Sequence, residues 1–327
     1  MALNVNQAFN EFNKDIVNLD SDRTKKARGS RDWLIKQLNL FPTKIDNFPP
    51  LYVEKHIKFG SFARNTKIEP LDDIDLILTL KAQGSTYLKI SENTYDIMVP
   101  TNVISLQKLC DNDILNSIKV VNKIVLSLKE IEHYSQAKIH RREESATLLL
   151  NSYEWNFDIV PSFYTDQGFY LIPNGQGKWK ATNPKIDQDN VSTINQKHNG
   201  KILQIIRILK YWQKRGTMPT ISSYLFETII LTYFESQSEI TDYIDFNLSD
   251  FWKYLEDNIY SNFPDPKGFQ GELNNLDIDT KQKISQLSKL SYDRAVEAIR
   301  FKTNDKDMKK SINKWKEIFG DEFPKYN

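Results

Sequence analysis

Apolar side chains near the start of the chain recur at steps of three or four. Val5, Ala8, Phe9, Phe12 and Ile16 would share one face of a helix. Ser21 and Asp22 are natural N-caps for a second helix, whose Trp33, Leu34 and Leu38 lead to a break at Pro42. Pro49 and Pro50 punctuate the entry to a short strand predicted over 51–59. After Gly60-Ser61 the period changes. Residues 74–80 (IDLILTL) form an almost continuous apolar run, as in a central strand covered on both faces. Helical spacing returns over 113–132, where Ile114, Ile118, Val121, Ile124, Val125 and Leu128 repeat. Two β-like segments follow, 146–150 and 154–160, with Asn151-Ser152 as the turn. Beyond about residue 180 strand signals fade. Segment 201–215 carries Ile202, Ile205, Ile206, Leu209 and Trp212 as a stripe, and further helices are predicted over 222–235, 249–258, 279–291, 293–303 and 306–319. The pattern predicts an α+β molecule of two lobes. A mixed β-sheet lobe with flanking helices spans 1–182, its N-terminal helices packing across both lobes, and a helical lobe spans 183–327.

Composition narrows the class. At 327 residues the chain can bury a core in each of two domains. Lys and Arg total 44 against 43 Asp and Glu, a net charge of +1. That balance argues against a basic coat for long nucleic acid and against an acidic disordered tail. The 39% apolar fraction, with 18 Phe, 15 Tyr and 6 Trp, is that of a globular protein. Cys110 is the one cysteine, which excludes an internal disulfide framework, and His56, His133, His140 and His198 are too scattered for a Cys/His zinc site. Cys110 falls in a segment predicted to be helical and reads as a core or surface residue rather than as a nucleophile. The N-terminus lacks a basic stretch followed by an apolar one, and no apolar run approaches the roughly 20 residues of a membrane span. A soluble, cytoplasmic, monomeric protein is expected.

The chemistry concentrates between residues 60 and 76. Gly60-Ser61 at a strand end lets backbone N–H groups and a hydroxyl approach phosphate oxygens closely. Asp73 and Asp75 then stand at i and i+2 at the start of the apolar strand, so the period of two aims both to one side. Asp72 should point the other way. Paired carboxylates repel unless a hard divalent cation, Mg²⁺ or Mn²⁺, lies between them. In 154–160, Trp155, Phe157 and Ile159 alternate into a core, while Glu154, Asn156 and Asp158 face the opposite side. Asp158, flanked by bulky apolar residues, is a costly carboxylate without a metal or cationic partner. Asp73, Asp75 and Asp158 together could hold two metal ions for in-line phosphoryl or nucleotidyl displacement. Segment 201–215 holds Lys201, Arg207, Lys210, Lys214 and Arg215 and no acid, whereas 227–258 holds eight acids and one base, Lys253. Asn174-Gly175-Gln176-Gly177-Lys178 lacks the spacing of a phosphate loop and reads as a hairpin turn. Trp179 and Asn183-Pro184 read by themselves as packing between the lobes.

GSFARNT…DDIDL followed by FDIVPSF resembles the DNA polymerase β-type nucleotidyltransferases. More narrowly it resembles the cGAS/DncV-like branch, the bacterial relatives of cyclic GMP-AMP synthase. Lys210-x-Trp212, Ser222-Ser223-Tyr224-Leu225-x-Glu227 and Trp315-x-x-Ile318-Phe319-Gly320-x-x-Phe323-Pro324 resemble further segments of that branch. The resemblance implies a bilobed nucleotidyltransferase fold and two Mg²⁺ ions on Asp73, Asp75 and Asp158, with Asp158 nearest the attacking hydroxyl. It implies that Gly60 and Ser61, helped by Lys210 and Ser223, hold a nucleoside triphosphate and that Tyr224 stacks on the donor base. Ser222 and Ser223 are not separable here, since either could be a simple N-cap. Asn65 stands where relatives commonly carry Gly; Asn is the next-best residue at positive φ. The implied activity joins NTPs into a cyclic di- or trinucleotide that activates a partner effector in bacterial anti-phage defence. Addition of nucleotides to RNA or protein, and an inactive nucleotide-binding scaffold, are the rival readings.

Overall fold

A computed structural model describes residues 2–215 and 218–327. Helix α1 (Val5–Phe12) is capped by Asn4, whose side chain accepts from the Gln7 N–H, and runs on as a π-helical turn, Asn13–Val17. Its buried residues are Val5, Ala8, Phe9 and Phe12, the face that the spacing predicts. Asp20 caps α2 (Ser21–Leu38) by accepting from Arg23 N–H. A short turn, α3 (Phe41–Lys44), follows. The strand expected over 51–59 is confined to β1 (Ile57–Phe59). Leu51 makes only an isolated bridge to Leu80, and Val53–Lys55 coils into a 3₁₀ turn. There the His56 Nδ1 accepts from Thr79 N–H, so a side chain replaces the ladder bond that a longer strand would supply.

Gly60–Ala63 forms the single turn α4, and β2 (Asp73–Leu80) is the predicted apolar strand. A hairpin that the spacing does not announce comes next, β3 (Thr86–Ser91) and β4 (Thr94–Met98). Most of β3 is exposed, so it carries no apolar alternation to read. After α5 (Ile104–Gln107), β5 (Cys110–Asp111) and β6 (Ile114–Leu115) pair across Asn112 and Asp113, both at positive φ (48° and 63°). Such a pair makes a two-residue hairpin turn. It shortens the helix expected over 113–132 to α6 (Ser117–Lys129) and puts Cys110 in a strand instead of a helix. The remaining strands are β7 (Lys138–Arg142), β8 (Ser145–Leu149), β9 (Asn156–Tyr164), β10 (Tyr170–Pro173) and β11 (Trp179–Thr182). Residues 174–178 are the β10–β11 hairpin turn, as expected, and Trp179 is fully buried with its indole N–H on the Leu115 carbonyl. Trp179 is therefore core and no ligand contact.

The eleven strands form one mixed sheet, ordered β1-β2-β9-β10-β11-β4-β6-β5, with β3 beside β4 and the β7–β8 pair beside β9. Among the described strands, only β2 and β9 pair in parallel. Ile74, Leu76, Leu78 and Leu80 of β2 join Phe157 and Ile159 of β9, Leu34 and Leu38 of α2 and Val121 and Ile124 of α6 in one core. On the opposite face Ile77 meets Val160 and Tyr170. This is why β2 reads as a continuous apolar run: both its faces are covered.

From residue 184 the described chain is helical. It comprises α7 (Pro184–Lys197), α8 (Ile202–Gln213), α9 (Ser223–Ser236), α10 (Ile244–Asn258), α11 (Ile278–Thr303) and α12 (Met308–Phe319). The two helices expected over 279–303 are one helix of 26 residues, since no Gly or Pro stands between them to break it. Helix α7, strongly polar, was not predicted. A second core gathers these helices together with α1: Phe9 and Phe12 pack against Trp315, Phe319 and Phe323. Thus α1 belongs to the helical core and α2 to the sheet core. No helix among the described residues is long and apolar enough to cross a membrane.

Candidate active site

Parallel pairing of β2 with β9 puts Asp75 opposite Asp158 and Asp73 opposite Asn156. The period of two sets Asp73, Asp75 and Asp158 on one face of the sheet. The Asp75 carboxyl is more enclosed than that of Asp73. Burial, then the charges of Asp73 and Asp158, push its carboxyl up to about 7. Asp158 is oriented from the next strand, because its Oδ1 accepts from Thr147 Oγ1 at 2.5 Å and from Ser145 Oγ at 3.2 Å. Asp73 is held by the Lys67 ammonium; burial and a hydrogen bond with Asp72 still push it upward. Asp72 does not point away as strand alternation suggests. It precedes β2, and its carboxylate meets the same Lys67 ammonium. Burial opposes its charge, but bonds with Asp73 and Lys67 hold it down at about 2.

Gly60 lies against this cluster. Its φ is +73°, and a Cβ there would come within 1.8 Å of Asp75 Oδ2. Only glycine fits. The Ser61 carbonyl accepts from the Thr66 and Lys67 N–H groups, so the turn closes on itself and carries Lys67 back to the carboxylates. Asn65 adopts φ +59°, the conformation expected where relatives carry Gly.

The helical residues lie differently from a simple basic face. Lys210 is 5% exposed, and its ammonium donates to Glu227 Oε2 at 2.9 Å. Burial lowers its pKa against the raising influence of Glu227. Ser222 is the N-cap of α9, its hydroxyl accepting from Leu225 N–H; Ser223, one residue on, is exposed at the start of the helix. The Tyr224 hydroxyl lies 2.9 Å from Asp187 Oδ1 and 2.8 Å from Asp265 Oδ1, and it accepts from Lys267 Nζ at 2.5 Å. That ammonium sits 3.9 Å over the Tyr224 ring. Burial, with the charges of both carboxylates, pushes the phenol far above its usual range.

Lys67, Arg64, Thr147, Glu227 and Lys267 were not singled out as site residues in the sequence. Glu227 stands within a quoted motif and Arg64 within another, but their partnership is made across the fold. Hard oxygen donors crowded on one face, one of them raised to about 7 by burial and by the charges of its two neighbours, fit a divalent cation. Among the described residues no three His, Cys, Asp or Glu side chains form a ready-made metal cage. Asp73, Asp75 and Asp158 are the residues that could hold one.

Known proteins resemble this chain in sequence and in fold. In Bacillus cereus (strain VD146), a protein named "Probable cyclic nucleotide synthase" is 44% identical over 333 residues, covering 100% of this chain and 99% of its own. Two solved structures share the fold at 17% identity and a TM-score of 0.69, E. coli MS115-1 CdnC with ATP and the CdnC:HORMA-deltaN complex. Each covers 97% of this chain, and the matches span 98% and 97% of those chains. A family model for the second messenger oligonucleotide or dinucleotide synthetase domain, SMODS, matches residues 3–195, more than half of the sequence. By that match and the 44% identity, the chain belongs to the SMODS family.

Proposed function

We propose that this protein joins nucleoside triphosphates into a cyclic di- or trinucleotide second messenger with release of pyrophosphate. The observation that carries the reading is Asp75 opposite Asp158 on adjacent parallel strands, with Asp73 on the same face and Gly60 backed onto Asp75. The relative named for cyclic nucleotide synthesis supports the substrate class. Gly60 and Ser61 receive the donor triphosphate, Lys210 and Ser223 assist, and Tyr224 offers its ring to the donor base. Asp158, held by Thr147 and Ser145, takes the proton of the acceptor ribose hydroxyl. The oxygen forms a bond to the donor α-phosphorus, the bond to the β-phosphate oxygen breaks, and pyrophosphate leaves. A second displacement within the linear product closes the ring. Divalent cations on Asp73, Asp75 and Asp158, two Mg²⁺ or alternatively Mn²⁺, would acidify the hydroxyl and neutralise the triphosphate. Catalysis then consists mainly of positioning and charge neutralisation.

The product acts through an effector that reads it, in bacterial anti-phage defence. The enzyme works in the cytoplasm as a monomer, with a HORMA-type protein as the partner class to try first. Incubation with labelled NTPs and Mg²⁺ is expected to yield phosphatase-resistant label, with ring size and bases read by mass spectrometry. Asp73→Asn and Asp75→Asn should each lower the yield by more than about 100-fold, since the metal site loses a first ligand. Equal yield from those variants overturns the metal assignment. Phosphatase-sensitive chains from the wild type overturn cyclisation, and point to nucleotide addition instead.

A further inference from the structure

Next to the Gly60–Ser61 turn, one buried carboxylate gathers groups from two other parts of the chain. Glu227 on α9 has a side chain only 4% exposed. Its Oε1 accepts from Arg64 Nε at 2.7 Å, and its Oε2 accepts from Lys210 Nζ and from Thr66 Oγ1, each at 2.9 Å. Arg64 and Thr66 end the turn that begins at Gly60, whereas Lys210 comes from α8. The Arg64 and Lys210 side chains are 11% and 6% exposed.

Burying three charges costs several kcal/mol per ion after relaxation, and apolar packing of equal volume commonly serves a core as well or better. An ionic cluster here therefore calls for a reason other than stability. Its sum supplies one: two cations against one carboxylate leave an excess positive charge beside the turn. Burial opposes ionisation of Glu227, but the charges of Lys210 and Arg64 hold it at about 2, so it is ionised at neutral pH. Each cation meets Glu227 through one N–H, and each has further donors. A triphosphate is the polyanion such a pair would complement.

We propose that Glu227 is a positioning residue for nucleotide binding, fixing Lys210 and Arg64 as one cationic pair whose remaining donors serve the triphosphate held at Gly60–Ser61. The inference rests on the reading of that turn and Lys210 as the nucleotide site, and it adds Arg64 as a second triphosphate-facing cation.

Titration calorimetry with non-hydrolysable analogues of the four NTPs, in the presence of Mg²⁺, tests it on the full chain. Glu227→Gln keeps the size but turns an amide N–H toward a cation, and should weaken binding about tenfold. Steady-state assays should show KM rising while kcat changes less than about threefold. Lys210→Met should weaken binding comparably, and Glu227→Gln in the Lys210→Met background should add little. Full additivity of the two losses overturns the positioning role. Should Glu227→Gln fail to fold, as judged by circular dichroism, Arg64→Gln combined with Lys210→Met decides. Losses that fall short of additive support a single unit; additive losses, or unchanged affinity in Arg64→Gln, overturn it. Lys210→Met binding as tightly as the wild type would instead sink the reading of the nucleotide site.

Discussion

Asp75 shows how much one residue's surroundings can dictate. It is enclosed by Gly60 on one side and faced by Asp158 on the other, and its carboxyl is pushed up to about 7 by burial and by the Asp73 and Asp158 charges. The folded chain thus holds this proton more tightly than the unfolded chain does. Its contribution to stability is full below about pH 4 and is lost as pH rises through about 7. A divalent cation reverses the balance, since it binds only the ionised form and competes with the proton. At limiting Mg²⁺, product formation should fall about tenfold per pH unit below 7, one proton being displaced per cation, and saturating Mg²⁺ should move the profile to lower pH. A flat profile between about pH 6 and 8 at limiting Mg²⁺ would count against Asp75 as a ligand. The shared aim of Asp73 and Asp75 was legible in the sequence, because a strand's period of two needs no tertiary information. That Asp158 lies on their face depends on the β2–β9 register, and in the sequence the set of three rested on neighbouring strands and the family resemblance. Lys67, Glu227 and Lys267 were not legible. Glu227 meets Arg64 across 163 positions and Lys267 meets Tyr224 across 43, and no local spacing encodes such meetings. Lys210 was legible as a cation, but its burial against Glu227 was hidden within a stretch that reads as a basic face.

At the scale of elements, legibility followed burial. Both β2 and β9 are buried along most of their length and announce themselves by apolar pattern. In contrast, β3 and β7 are largely exposed, and α7 buries few residues, so each lacks the apolar periodicity that would mark it. Helix α1 was legible for the opposite reason: its whole apolar face is buried, although its partners lie some 300 positions away at α12. Phe9 makes edge contacts with Trp315, Phe319 and Phe323 at centroid distances of 4.9, 5.9 and 5.1 Å. Removing a fully buried phenyl ring costs about 3–5 kcal/mol, and aromatic pairs of this geometry contribute roughly 0.5–1.5 kcal/mol beyond their area. Phe9→Ala is therefore expected to lower unfolding free energy by about 3–5 kcal/mol in urea titrations, with an unchanged dependence on denaturant. A loss below about 1 kcal/mol would mean that α1 is an accessory to the helical core and not part of it.

For the whole molecule, near-neutral net charge takes its meaning from where the charges end. Of the cations in 201–215, Lys201 pairs with Asp242, Lys210 with Glu227, and Arg207 donates to Asn18 Oδ1 and the Asn65 carbonyl, each at 2.7 Å. Arg207 and Lys210 are therefore committed to partners within the fold, while Lys201 and its partner Asp242 lie at the surface and Lys214 is exposed. A small polyanion suits such a stretch better than a long one. Arg207 also ties α8 to the turn that carries Lys67, and so joins the helical core to the sheet core. Phe269 makes a second tie, reaching from the segment after α10 to Phe169, 5.5 Å between ring centroids. With the Glu227 cluster, these contacts are mostly polar, and interfaces of that kind permit relative motion of the parts they join. The two cores should unfold together only because several such ties act at once. Scanning calorimetry of the wild type should then give one transition, with calorimetric and van't Hoff enthalpies equal. Arg207→Met combined with Phe269→Ala should split it into two, the Glu227 cluster alone being too small to couple cores of this size. A single two-state transition in the double variant would locate the coupling elsewhere, in the Glu227 cluster or in the α7 contact where Gln188 donates to the Lys58 carbonyl at 2.6 Å.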